Sequence, residues 1–265
     1  MTALARPIRL LAALAMIAAA GALLLPWQAS LLCEARGARY RTAPLDLSLR
    51  EQVGQSGFLA ALSGFRSPLA AFLWIEAHSA WEKTEWGRMQ GLFETVTTLQ
   101  PHTLLYWDIA AWHMAWNASA AALQDARQKS PVLRERARRQ YIDLGRGLIE
   151  GGIRNNPDSS LLWERLGILL RDKLEDHPAA ADAFAKAASL PGAAPYVHRM
   201  AAYEEAKTPG RERHAYESLR PIYLGEPAMH TSLMLSRLRD LEHRLGLPPE
   251  ACIHETVAGP SSSSR

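Results

Sequence analysis

From about residue 57 onward, apolar residues recur at spacings of three and four, which is one face of an α-helix. Alternating strand-like runs are absent, and prolines fall between the periodic segments. The pattern predicts an all-α body over 57–246. Its last helix, 229–245, stops at Gly246 with Pro248-Pro249 beyond it. Residues 33–56 carry Gly37, Pro44 and Gly54 among scattered charges without sustained periodicity, and are expected to be a linker. Residues 247–265, which end in Ser261 to Ser264, are expected to be a disordered tail.

The other departure from helical periodicity lies at 1–32. Arg6 and Arg9 precede an unbroken apolar run, Leu10 to Leu25. A cleaved secretory signal needs small residues at −3 and −1, but an Ala29 cut places Trp27 at −3. A lipoprotein reading of Cys33 meets Leu32 where a small residue should stand. The favoured expectation is an uncleaved transmembrane or signal-anchor helix with Trp27 at the interface; a cleaved signal and a lipoprotein are the alternatives. The order of the leader favours an extracytoplasmic body. Arg36, Arg39, Arg41 and Arg50 just beyond the run favour the opposite topology.

Within the body, Trp163, Leu166, Gly167, Leu170, Ala180, Phe184 and Ala187 follow a Trp-x2-Leu-Gly-x2-x…Ala-x3-Phe-x2-Ala order, with one extra residue at the inter-helix turn. Small Gly167 and Ala180 let two antiparallel helices approach, and Phe184 fills the space between them. Pro157 and Pro101 stand at equivalent ends of units. After Pro101, Trp107, Ala111 and Met114 take the offsets of Trp163, Gly167 and Leu170. This order resembles the tetratricopeptide repeat. The resemblance implies an α-solenoid of three to four hairpins, with units at about 66–101, 102–157, 158–192 and 193–225 and a capping helix at 229–245. Pro101 and Pro157 are 56 residues apart, whereas a standard repeat is about 34, so the second unit is expected to hold an insertion near 119–140. Gly64-Phe65-Arg66, Leu73-Trp74-Ile75, Trp81 and Ala111-Trp112-His113-Met114-Ala115-Trp116-Asn117 further resemble a poorly characterised group of membrane-anchored bacterial tetratricopeptide proteins. That likeness supports the anchor and implies no catalytic residues.

In such repeats the first helix of each unit lines a concave groove. The repeat register then assigns Trp74, His78, Trp81 and Glu82 to the groove from unit one, Asp108, Trp112 and Trp116 from unit two, and Glu164 and Arg171 from unit three. Leu105, Ala115, Ile168 and Asp172 fall at further groove positions. Trp107, Ala111, Trp163, Gly167, Ala180 and Phe184 fall at structural repeat positions. A concave aromatic surface with a few convergent polar groups suits a peptide or a glycan. The bland alternative is that these aromatics are core, with residues 40–64 folding back over the first unit.

Composition narrows the chemistry. A single long apolar run excludes a polytopic transporter, and two cysteines, Cys33 and Cys252, exclude a disulfide scaffold and a cysteine-rich metal site. Of 30 basic residues 25 are Arg, yet the formal net charge is only +3, which is weak support for nucleic acid. Within the insertion, Arg127, Lys129, Arg134, Arg136, Arg138 and Arg139 face Asp125 and Glu135, as a solvated helix face or a contact for anionic headgroups. The histidines show no His-Glu-x-x-His spacing, and there is no phosphate loop, haem-attachment motif or nucleophile elbow. The expectation is a scaffold at a bacterial inner membrane with a periplasmic body, no cofactor and no catalysis of its own. It binds a protein partner and no nucleic acid. The alternative is a cell-envelope enzyme or glycan-binding module that uses the same tryptophans.

Overall fold

The structure is a computed structural model that describes residues 64–225 and 231–253. The expected anchor at 1–32 and linker at 33–56 lie outside the described residues. Among those residues the fold is all-α, and no helix is long and apolar enough to cross a membrane.

The helices are α1 Arg66–Glu82, α2 Trp86–Leu99, α3 Leu104–Trp112, α4 Ser119–Gln124, α5 Pro131–Asn155, α6 Ser160–Lys173, α7 His177–Ala188, α8 Tyr196–Glu205, α9 Glu212–Gly225 and α10 Ser232–Leu245. A π-helical turn, His113–Ala118, joins α3 to α4, so the chain runs helical from Leu104 to Gln124. Starts and stops follow local chemistry. Ser130, Ser159, Asp176 and Thr231 each accept a backbone N–H from the first turn of the helix that follows. Gly246, at φ +61°, ends α10 in the left-handed conformation that glycine adopts without a Cβ penalty. Ser67, a natural capping residue, lies inside α1 instead, and its hydroxyl accepts from Gln100 Nε2 at 2.7 Å.

Helices pack chiefly on their neighbours in chain order, as α1 on α2, α6 on α7, α7 on α8 and α9 on α10. Two local geometries recur. Trp107 Nε1 donates to the Pro101 carbonyl at 2.8 Å, and Trp163 Nε1 donates to the Pro157 carbonyl at 3.3 Å. Gln100 and Asn156, each just before the proline, have nearly the same backbone angles (φ −130°, ψ 62° and φ −138°, ψ 65°). Thr84 and Glu175, at φ 56° and 54°, occupy the same place in the α1–α2 and α6–α7 turns. A non-glycine residue there carries strain of about 1 kcal/mol, so its recurrence at one position marks a shared turn geometry.

The residues expected as an insertion near 119–140 form α4, the loop after it and the first turns of α5, which alone spans 25 residues. Of the expected tail, residues 247–253 are described and 254–265 lie outside the described residues. Leu247 and Ile253 pack on the last helices, because Glu242 accepts the Ile253 N–H at 2.6 Å and Tyr216 Oη donates to the Ala251 carbonyl.

The main core runs from α1 to α8, and a second cluster ties α8, α9 and α10 together. Close approach is bought with missing side chains. A Cβ on Gly145 would lie 2.8 Å from the Ala111 carbonyl oxygen and 2.7 Å from Ala115 Cβ; one on Gly167 would lie 2.8 Å from the Phe184 ring. Ala180 and Phe184 are fully buried opposite Gly167, and burying Phe184 contributes about 2–3 kcal/mol.

Candidate functional site

The π-helical turn organises the site. Its hydrogen bonds close over one more residue than those of an α-helix, so positions after Trp112 rotate out of the register expected for them. Ala115, expected at a groove position, is buried against Gly145 for this reason. His113, which the register left out, becomes the centre of a ring cluster. Its imidazole lies 5.4 Å from Trp81, 5.1 Å from Trp112 and 5.8 Å from Phe93, with the two tryptophans edge-on. The Asn117 amide donates to His113 Nδ1 at 3.0 Å, which leaves the neutral ring its proton on Nε2. Burial, then the charge of nearby His78, holds His113 below its ordinary pKa of 6.5.

The four tryptophans assigned to the groove separate. Trp74 is half-buried, with its ring 4.9 Å from Tyr106 and 5.3 Å from Phe93. Trp81 is half-buried against His113. Both serve packing between α1 and its neighbours. Trp112 is 47% exposed. Trp116 is half-buried beneath Lys173, whose ammonium lies 4.9 Å from the ring centre. Burial, then Arg138, lowers the Lys173 pKa. His78 and Glu82 are exposed and lie 3.7 Å apart, outside the cleft that Trp112 lines.

That cleft, of about 530 Å³, opens between α3 and α6. Ile109, Ile149 and Ile168 give it apolar walls, Trp112, His113 and Trp116 an aromatic side, and Asp108, Arg165 and Asp172 a polar edge. Arg165 Nε donates to Asp108 at 2.9 Å, a link between α6 and α3 across 57 residues of sequence. The same guanidinium reaches Glu164 at 3.1 Å, and Tyr196 Oη donates to that carboxylate at 2.6 Å. Glu164 is only 5% exposed and so belongs to the scaffold behind the cleft. Its hydrogen bond, then burial, raises the Tyr196 pKa. Arg171 donates to Asp172 at 2.6 Å and lies 5.7 Å from the Phe184 ring centre, bracing α6 on α7.

The structure thus brings Asp108, Trp112 and Trp116 together and sets Trp74, Trp81 and Glu164 into packing. Sequence reading missed His113, Arg165 and Tyr196. The available signal was His113 between two tryptophans in Trp112-His113-x3-Trp116-Asn117. A larger cleft of about 940 Å³ lies between α2 and α5, floored by Trp107 and Gly151 and rimmed by Glu94, Asp143 and Arg154. Among the described residues no group of three or more His, Cys, Asp or Glu is placed to hold a metal. Comparison with family models, curated proteins and solved structures finds no match.

Proposed function

We propose that the chain is a tetratricopeptide-like stack of hairpins, anchored in a bacterial inner membrane by residues 1–32, with its body in the periplasm. It docks a protein partner beside Trp112 and has no catalysis of its own. The observation that carries the reading is Trp112, half-exposed on the rim of an apolar cleft whose polar edge, Asp108 with Arg165, is already fixed. A partner's apolar side chain buries against Trp112 and Ile168, and its polar groups align on Asp108 and Asp172. Tryptophan anchors of this kind dominate interface energetics. The recurring Pro101–Trp107 and Pro157–Trp163 hydrogen bonds support the repeat reading.

A photocrosslinking residue placed at Trp112, and separately at Ile168, in the full chain in its native membrane tests this. The expected result is one discrete adduct shared by both sites and absent from a probe at exposed Glu217. No adduct, or the same adduct from Glu217, overturns it. The half-exposed indole beside two carboxylates also favours a glycan as second reading. Retention on cell-wall polysaccharide that is lost in Trp112→Ala would support that instead.

A further inference from the structure

A second surface lies at the far end of the long hairpin, where α4 meets α5. Leu123 in the last turn of α4 and Val132 and Leu133 in the first turn of α5 are exposed, Val132 to 75%. They flank the loop Asp125–Ser130. Between 123 and 139 there are six basic residues and two acids. Val132, Arg136 and Arg139 share one shallow hollow, with Glu135 and Asp143 also on its walls. Not every charge there is available. Asp125 holds Arg127, and Glu135 holds both Arg138 and Arg139, whose hydrogen bonds bring its pKa down to about 2. Arg134 donates to the Gln128 carbonyl and pins the loop. Lys129 and Arg136 are exposed and make no ion pair among the described residues.

We infer that this tip is a peripheral docking site for an anionic phospholipid surface. Leu123, Val132 and Leu133 enter the boundary between headgroups and acyl chains. Lys129 and Arg136 meet headgroup phosphates, and the surplus of basic over acidic residues draws the tip to negative charge. Exposed aliphatics ringed by cations are unfavourable in water and are both satisfied at such a surface. Nucleic acid fits the charge but leaves the aliphatics in water. The inference rests on the membrane reading above only for the presence of a bilayer nearby.

The test uses the full-length chain with Cys33→Ser and Cys252→Ser, and an environment-sensitive dye on Val132→Cys. The chain is mixed with excess vesicles of neutral phosphatidylcholine, or of the same lipid with anionic phosphatidylglycerol. The expected result is a blue shift with anionic vesicles only, absent for a dye at Glu217→Cys. Lys129→Gln and Arg136→Gln each lower the ratio of shifted to unshifted emission about fivefold, and high salt lowers it further. No shift, an equal shift with neutral vesicles, or a shift produced by duplex DNA in place of vesicles overturns the inference. Flotation of the same samples reports the anchor separately, so failure of the tip and failure of the leader give different results.

Discussion

The α3–α5 hairpin and the α6–α7 hairpin solve the same packing problem by different means. In α6–α7 the hole left by Gly167 receives a side chain, the Phe184 ring. In α3–α5 the hole left by Gly145 receives backbone, the Ala111 carbonyl, and the large ring, Trp107, sits instead against Gly151 and Gly152. A ring can turn or be shortened, whereas a helix backbone cannot move without its neighbours. The longer hairpin is therefore the less forgiving of the two. It also carries the π-helical turn and both faces proposed to bind something.

The largest difference should come from Trp107 and Trp163. Trp107 is 8% exposed, while Trp163 is half-buried with a longer hydrogen bond. Trp107→Ala should lose about 4 kcal/mol of stability in urea denaturation, and Trp163→Ala about 1–2 kcal/mol. Equal losses would show that the two hairpins do not differ in this way. The glycines sharpen the comparison. Gly145→Ala should destabilise by about 3 kcal/mol and Gly167→Ala by about 2 kcal/mol. Adding Phe184→Leu to Gly167→Ala should recover part of the loss, with a coupling of about 1–2 kcal/mol in a double-mutant cycle. Adding Ala115→Gly to Gly145→Ala should recover little, because the Ala111 carbonyl remains in the way.

His113, in the long hairpin, makes stability depend on pH. Its pKa is lowered in the fold, so the unfolded chain takes up the proton first as pH falls. Stability is fully present above the ordinary value of 6.5 and declines as acid is added below it. Comparing melting temperatures across that range, His113→Gln should flatten the decline relative to the wild type. The smallest effect belongs to Gly147, which sits inside α5 with nothing within 4 Å of a Cβ position. Gly147→Ala should raise stability by up to about 1 kcal/mol through helix propensity alone. A loss there would mean that the cleft between α2 and α5 closes over this position.

Much of this architecture was legible from residue spacing. The prolines and the Trp163–Phe184 order located α6 and α7 because those signals act within one or two turns. The π-helical turn was not legible. One extra residue inside a helix leaves the apolar spacing almost unchanged, yet it rotates everything downstream and moves Ala115 into the core. The Arg165–Asp108 pair was hidden for another reason. It depends on the angle at which two hairpins meet, and local sequence does not set that angle. The tryptophans expected in the groove lie on α1, α3 and the π-helical turn, and whether a half-buried ring packs or stays open is settled by what faces it. Phe93 and Tyr106 face Trp74, whereas Trp112 faces a cleft.

That last contrast is the most direct to measure. Urea denaturation of Trp74→Ala and Trp112→Ala in the otherwise unchanged chain separates packing from open surface. An open cleft predicts a loss of about 3 kcal/mol for Trp74→Ala and less than about 1 kcal/mol for Trp112→Ala. A loss at Trp112 as large as that at Trp74 would mean that the cleft is part of the core, and would contradict a docking role for it.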